Sequence, residues 1–276
     1  MTVEEPPTVT VNMDAIREEA EAYAKEHMAK YADPCHDWWH VARVRDTALR
    51  IARTLNPLPD LVLVELAALY HDLLDSKFHA SPTAAHLALS THLSHTLLLP
   101  PPLVSDILRI VGTVSYKKEV AYRRKVEEEG DGGRCGWREG CCELWCVQDA
   151  DMLDAMGAVG VMRAASFSVR LGQPLHLPYG IRTSTNPPTT IPATHPQGHD
   201  NDEDSLANLR LGAGPPTATR HFPDKLLRLK DMLKTEEGRR MGVRRHERMV
   251  EFLRWVVDEE EVGGWEWKVG GASCWY

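Results

Sequence analysis

The chain has 276 residues, 43% of them apolar and 26% charged, with a formal net charge of −8 and a pI near 5.9. That length allows one large domain or two small ones, with enough apolar residues for a sizeable core. The acidic balance leaves no footprint for a nucleic-acid partner, although a local basic pocket for a small anion is compatible with it, and no apolar run approaches the ~20 residues of a membrane span. The opening MTVEEPPTVTVNMD has neither the basic flank nor the apolar run of a signal peptide. The expectation is a soluble cytosolic protein with no membrane partner, a nuclear location staying open.

Helical periodicity runs through the whole chain and no alternating strand pattern competes with it. Residues 1–13 read as a disordered lead-in. Asp14 can cap a helix to about Tyr31, with Ile16, Ala20, Tyr23, His27 and Tyr31 on one stripe. Asp33-Pro34 breaks it, and a second helix covers about 38–55, its apolar face formed by Val41, Val44, Ala48, Ile51 and Leu55. After the turn Asn56-Pro57-Leu58-Pro59, a third helix over about 60–74 is apolar nearly all round, so it is expected to be central and buried. Ser81-Pro82 opens a fourth helix, and Pro100-Pro101-Pro102 ends it and opens a fifth. The Gly-rich, charged stretch 126–142 reads as a loop insertion, followed by a helix pair over about 143–171 with a break near Gly157 and Gly160. Segment 178–220, rich in Pro, Thr, Asn and Gly, reads as a long irregular insertion. Two helices, about 223–235 and 236–260, precede a tail over 261–276. The fold class expected is all-α, with the domain over 14–260.

Six cysteines are too few for a disulfide scaffold, and the spacing of Cys135, Cys141, Cys142 and Cys146 lacks the paired CxxC pattern of zinc sites. They read as reduced thiols in and beside a loop.

The dipeptide His-Asp occurs at 36–37, 71–72 and 199–200, and only its context is informative. His199-Asp200 lies in the irregular segment, and Asp37 is placed to cap the second helix. His71-Asp72 ends the most apolar helix, where burying both groups is costly unless they pair or bind a metal. His40 shares a stripe with Val44, Ala48 and Ile51, so it points inward. Asp149, Asp151 and Asp154 put three carboxylates into an otherwise apolar helix, with Asp151 on the stripe of Leu144 and Val147. A buried His–Asp hydrogen bond would account for 71–72 alone. One cation held by two imidazoles and two carboxylates accounts for all of them, and such a mixed nitrogen and oxygen site suits Mn, Fe, Co, Ni or Zn better than Ca.

The pattern His40-x-x-Arg43-Val44, then His71-Asp72, then Ala150-Asp151-x-Leu153, resembles the HD-domain phosphohydrolases. HDWWHVARVR, ALYHDLLDSKF, IVGTVSYK, VQDADMLDAMGAVGVMR and HFPDKLLRLKDMLKTEEGRRM are similar to the bacterial HD-domain subgroup that includes nucleotide pyrophosphohydrolases. The resemblance implies a single all-α HD domain. It implies that His40, His71, Asp72 and Asp151 bind one divalent transition metal, manganese first, with Asp149 the rival to Asp151. It further implies Asp75 as the group that orients water and Lys77 beside it. Lys117, with Ser115 and Tyr116, and His221, Lys225 and Lys230 match blocks expected to meet substrate. The implied function is hydrolysis of a nucleotide, a nucleoside triphosphate to monophosphate and pyrophosphate, by a chain for which a homodimer is open. The alternatives are a 5′-nucleotidase, a cyclic-nucleotide phosphodiesterase, a dinuclear-iron oxygenase of the HD type and a non-catalytic nucleotide-binding module. His86, His92 and His95 bear on the dinuclear reading, since His92 and His95 lie three apart, but a Ser/Thr-rich stretch reads as an exposed polar stripe. Trp38 and Trp39 are candidates for stacking on a base or for packing in the core.

Overall fold

The computed structural model describes residues 12–30, 34–75, 81–177 and 216–262. Most of the expected lead-in, Lys77, the bulk of 178–220 and the tail from 263 lie outside the described residues. Every element among the described residues is helical, so the chain is all-α as expected. It gathers into two compact units, Met1–Ala150 and Asp151–Tyr276.

In the first unit, α1 spans Met13–Ala29 and buries Ile16, Ala20, Ala24 and Met28. Its cap is Asn12, not Asp14: Asn12 Oδ1 accepts from the Asp14 and Ala15 amides at 3.1 and 3.3 Å. Asp14 instead sits in the first turn and pairs with Arg17 at 3.0 Å. The second helix, α2, spans Trp38–Ala52 and is capped by Asp37 as expected, the Asp37 carboxylate accepting from the His40 amide at 2.8 Å. Helix α3 spans Leu61–Tyr70, and every residue from Leu63 to Tyr70 is buried. It packs against α1, α2 and the later α5 (Pro101–Val111) and so forms the axis of this unit. Burial of Leu66 or Leu69, each almost wholly enclosed, stabilises by about 1.5–3 kcal/mol. Its one charged residue, Glu65, is buried and accepts from Arg17 Nε at 2.9 Å, with Arg45 Nε at 3.9 Å.

Helix α4, Pro82–Thr91, is capped by Ser81 and runs into a π-helical turn, His92–Thr96. That turn corrects the expected exposed histidine stripe. His86 and His95 are exposed, but His92 is buried: its ring stacks on Tyr23 with centroids 3.7 Å apart, and its Nε2 lies 3.1 Å from the Tyr70 hydroxyl. Sequence could not show this, because both partners come from other helices.

The loop expected over 126–142 is mostly helical. Helix α6 spans Tyr116–Glu129, a 3₁₀ turn follows over Gly130–Gly133, and a short α7 covers Gly136–Gly140. Side chains far apart in sequence hold it. Buried Glu119 accepts from Arg138 Nη2 at 2.6 Å and from Gln148 Nε2 at 3.2 Å, and Trp145 Nε1 donates to the Arg138 carbonyl at 2.8 Å. A Cβ at Gly133 would come within 2.5 Å of the Lys125 carbonyl, so glycine lets this turn close on α6. Cys141 and Cys142 stay reduced, each thiol 3.6 Å from Glu143 Oε2.

Helix α8, Cys142–Asp154, carries the chain from the first unit to the second. The predicted break falls at Gly157, whose φ of +74° suits glycine and which opens α9, Gly157–Arg170. The second unit packs α9 against α10 (Ala218–Asp224) and α11 (Glu236–Val262). The helix expected over 223–235 is different: Thr217 caps α10, which holds Pro223 one residue before its end, and Leu226–Met232 winds as 3₁₀. Proline lacks the amide that would continue the α pattern. No single helix among the described residues is long and apolar enough to cross a membrane.

Burial, with a smaller push from His27, lowers the His92 pKa to about 4. A histidine lowered in the folded state leaves the unfolded chain binding more protons between about pH 6.5 and 4, so stability is lost as the pH falls through that window. Urea unfolding is expected to show a loss on the order of 1–2 kcal/mol attributable to His92 between pH 7 and 5. His92→Phe should flatten that slope. An unchanged slope would show that His92 titrates normally.

Candidate metal centre

Three helix-borne donors converge in the first unit. His40 lies in the first turn of α2, its backbone held by the Asp37 cap. His71 and Asp72 follow directly on the last residue of α3. All three are buried. His40 Nε2 lies 3.1 Å from His71 Nε2 and 3.5 Å from Asp72 Oδ2, and His71 Nε2 is 3.6 Å from the same oxygen. The three can each offer one ligand atom to a metal ion.

The proton positions decide what this group can do. His71 Nδ1 lies 2.8 Å from the Ala68 carbonyl. A carbonyl only accepts, so Nδ1 carries the proton and, in the neutral ring, Nε2 presents a lone pair. This is the arrangement by which a metal-binding histidine is oriented from behind. A divalent ion serves all three donors at once. The spacing also fits: two donors on a cation with ~2.1 Å bonds at 90–120° are about 3.0–3.6 Å apart, which covers the three separations. The donor set, two imidazoles and a carboxylate, fits a divalent transition metal.

The other expected residues are distributed as follows. Asp75 is half-buried in the turn after Asp72, its amide donating to the Asp72 carbonyl at 3.1 Å. Lys117 is exposed in the first turn of α6. Asp151 is not one of the three convergent donors; it lies half-buried on α8 at the start of the second unit. Its rival Asp149 is fully buried, and Asp154 is accounted for by Arg163 at 2.9 Å. His221 and Lys225 are half-buried at α10 in the second unit. Burial and the neighbouring Lys225 lower the His221 pKa to about 4, so near neutral pH it is an uncharged hydrogen-bonding group. Trp39 is 67% exposed, so core packing does not explain it. His36, in the segment just before α2, sets its ring edge-on to His40 at 5.8 Å, a contact that the His-Asp pair at 36–37 does not signal in the sequence.

Comparison with known proteins agrees with this geometry. The HD domain family matches residues 38–156, a span containing all three donors. The chain is 31% identical over 231 residues to the uncharacterized protein YpgQ of Bacillus subtilis, covering 83% of this chain and 85% of that protein. The crystal structure of YpgQ in complex with ADP aligns with 91% of this chain and 98% of its own, at 27% identity and a TM-score of 0.56. An HD-superfamily hydrolase from Bacillus thuringiensis shares the fold, covering 90% of this chain and 98% of its own at 22% identity and a TM-score of 0.58. With the buried His-Asp pair at the end of its central helix and a relative that matches it over most of its length, the chain belongs to the HD-domain family.

Proposed function

We propose that the chain is a metal-dependent phosphohydrolase acting on a nucleotide, converting a nucleoside triphosphate to monophosphate and pyrophosphate. The observation that carries the reading is the buried His40, His71 and Asp72 group, with the His71 lone pair held toward its centre by the Ala68 carbonyl. The YpgQ complex with ADP supports the nucleotide part. His40, His71 and Asp72 hold the ion, with Asp151 as the fourth ligand and manganese as the preferred metal.

A divalent ion in such a site supplies Lewis-acid polarisation of a phosphoryl group and acidifies water. The chain's own residues do the rest. Asp75, tied by its amide to the Asp72 backbone, orients the attacking water and takes its proton. Lys77, Lys117 and Lys225 offset the negative charge that spreads over the phosphoryl oxygens in the transition state. His221, uncharged near neutral pH, contributes a hydrogen bond to substrate.

His71→Ala and Asp72→Ala are expected to lose metal while far-UV circular dichroism stays helical. Metal content after dialysis against manganese checks this, and undiminished content in both variants would sink the site. Chelator-stripped protein supplied with Mn, Co, Ni, Mg or Zn and a panel of nucleotides should release pyrophosphate and monophosphate from a triphosphate. Phosphate release instead would point to a nucleotidase, and no turnover by metal-loaded protein would overturn the reading. Asp75→Asn should lower kcat by roughly 10²–10⁴-fold with metal content unchanged.

A further inference from the structure

The second unit contains a cavity of about 270 Å³ that shares no residue with the metal centre. Its walls are apolar: Val161 and Ala165 from α9, Phe222 from α10, and Phe252 and Val256 from α11. The two phenyl rings lie 5.7 Å apart at 38°, so aromatic surface forms part of the wall.

The polar groups are few and ordered. His176 Nε2 lies 2.8 Å from Glu260 Oε1, and its Nδ1 lies 3.0 Å from the Thr219 hydroxyl, which is in turn 3.1 Å from the Thr217 hydroxyl. Glu259 also lines the cavity. A carboxylate accepts, so Nε2 donates to Glu260 and the ring is held in one orientation. Among the described lining residues there is no lysine or arginine, while two are glutamates. Whether His176 is neutral or protonated, the described lining side chains sum to a negative charge. Such a wall repels phosphates and carboxylates. It favours a ligand whose apolar body fills the cavity and whose positive end meets the glutamates and the electron-rich ring faces.

We propose that this cavity is a binding site for a small organic cation, an aromatic or branched aliphatic amine. The amine group faces Glu259, beside the His176–Glu260 pair, and the hydrocarbon part contacts Phe222 and Phe252. Nucleotides are excluded by charge, so the site is not a second copy of the proposed substrate site.

The test titrates the full-length protein with 2-phenylethylamine, with the neutral 2-phenylethanol and with the anion 3-phenylpropionate, following ligand signals by saturation-transfer NMR. The expected order is amine, then alcohol, with the anion not binding. Glu259→Gln, an exposed change, should weaken the amine by about threefold and leave the alcohol unaffected. Ala165→Phe, which fills the cavity, should abolish both, with circular dichroism confirming the fold. Equal binding of amine and anion, no binding of the amine, or amine binding unaltered in both variants would overturn the proposal. Nucleotide turnover is measured on the same samples and is expected to be unchanged in Glu259→Gln.

Discussion

The hydrogen bond from His71 Nδ1 to the Ala68 carbonyl, at 2.8 Å, is the constraint on which the site depends. It joins a side chain just past the end of α3 to a carbonyl near the end of that helix, where the last carbonyls have no amide partner of their own. One contact therefore satisfies a helix terminus and assigns the imidazole proton. With that proton committed, the opposite nitrogen faces His40 and Asp72 as a lone pair. Burying a carboxylate beside two imidazoles is costly unless the groups are paired or hold a cation. Helix α3 is the element best able to impose this, because it is packed on three sides and buried from Leu63 to Tyr70.

Neighbouring elements hold the donors from other directions. The carboxylate of Asp37 caps α2 through the amide of His40 itself, so the start of the helix and the placement of the ligand are one event. Tyr70, the residue before His71, is anchored through its hydroxyl to buried His92, which rests on Tyr23 of α1. Glu65, one and a half turns earlier on α3, is met by Arg17 of α1 and Arg45 of α2. Three helices thus contact α3 through polar groups as well as through apolar packing. Polar pairs are directional, so they fix the rotation of α3 about its axis in a way that leucine packing alone does not.

What could be read from the sequence was what depends on local chemistry. Asp37 and Ser81 cap helices where their side chains predict, Pro101 opens α5, and Gly157 marks the start of α9. The apolar helix with a terminal His-Asp pair was visible because the cost of burying that pair is independent of the rest of the fold. What escaped was what distant residues decide. The Gly-rich stretch after Val126 has a loop's composition, yet Glu119, Arg138 and Gln148 knit it onto α6 and α8. His92 sits in a polar stretch, and only Tyr23 and Tyr70, 69 and 22 residues away, bury it. His221 shows the same limit: its residue type leaves its charge near neutral pH open, and burial among distant residues makes it uncharged.

Charge separates the two sites chemically. A chain of net charge −8 that handles a nucleotide must create positive potential locally. In the proposed reaction that falls to the bound cation and to lysines, since His221 is neutral. The cavity of the second unit does the reverse, concentrating carboxylates around an apolar pocket that holds a single imidazole. Ligands sorted by these two fields are opposite in sign and would not compete for the same place. His221 and Lys225 belong to α10 and the residue that follows it. Phe222, beside His221, lines the cavity, so the cavity wall and the histidine proposed to meet substrate belong to one short helix.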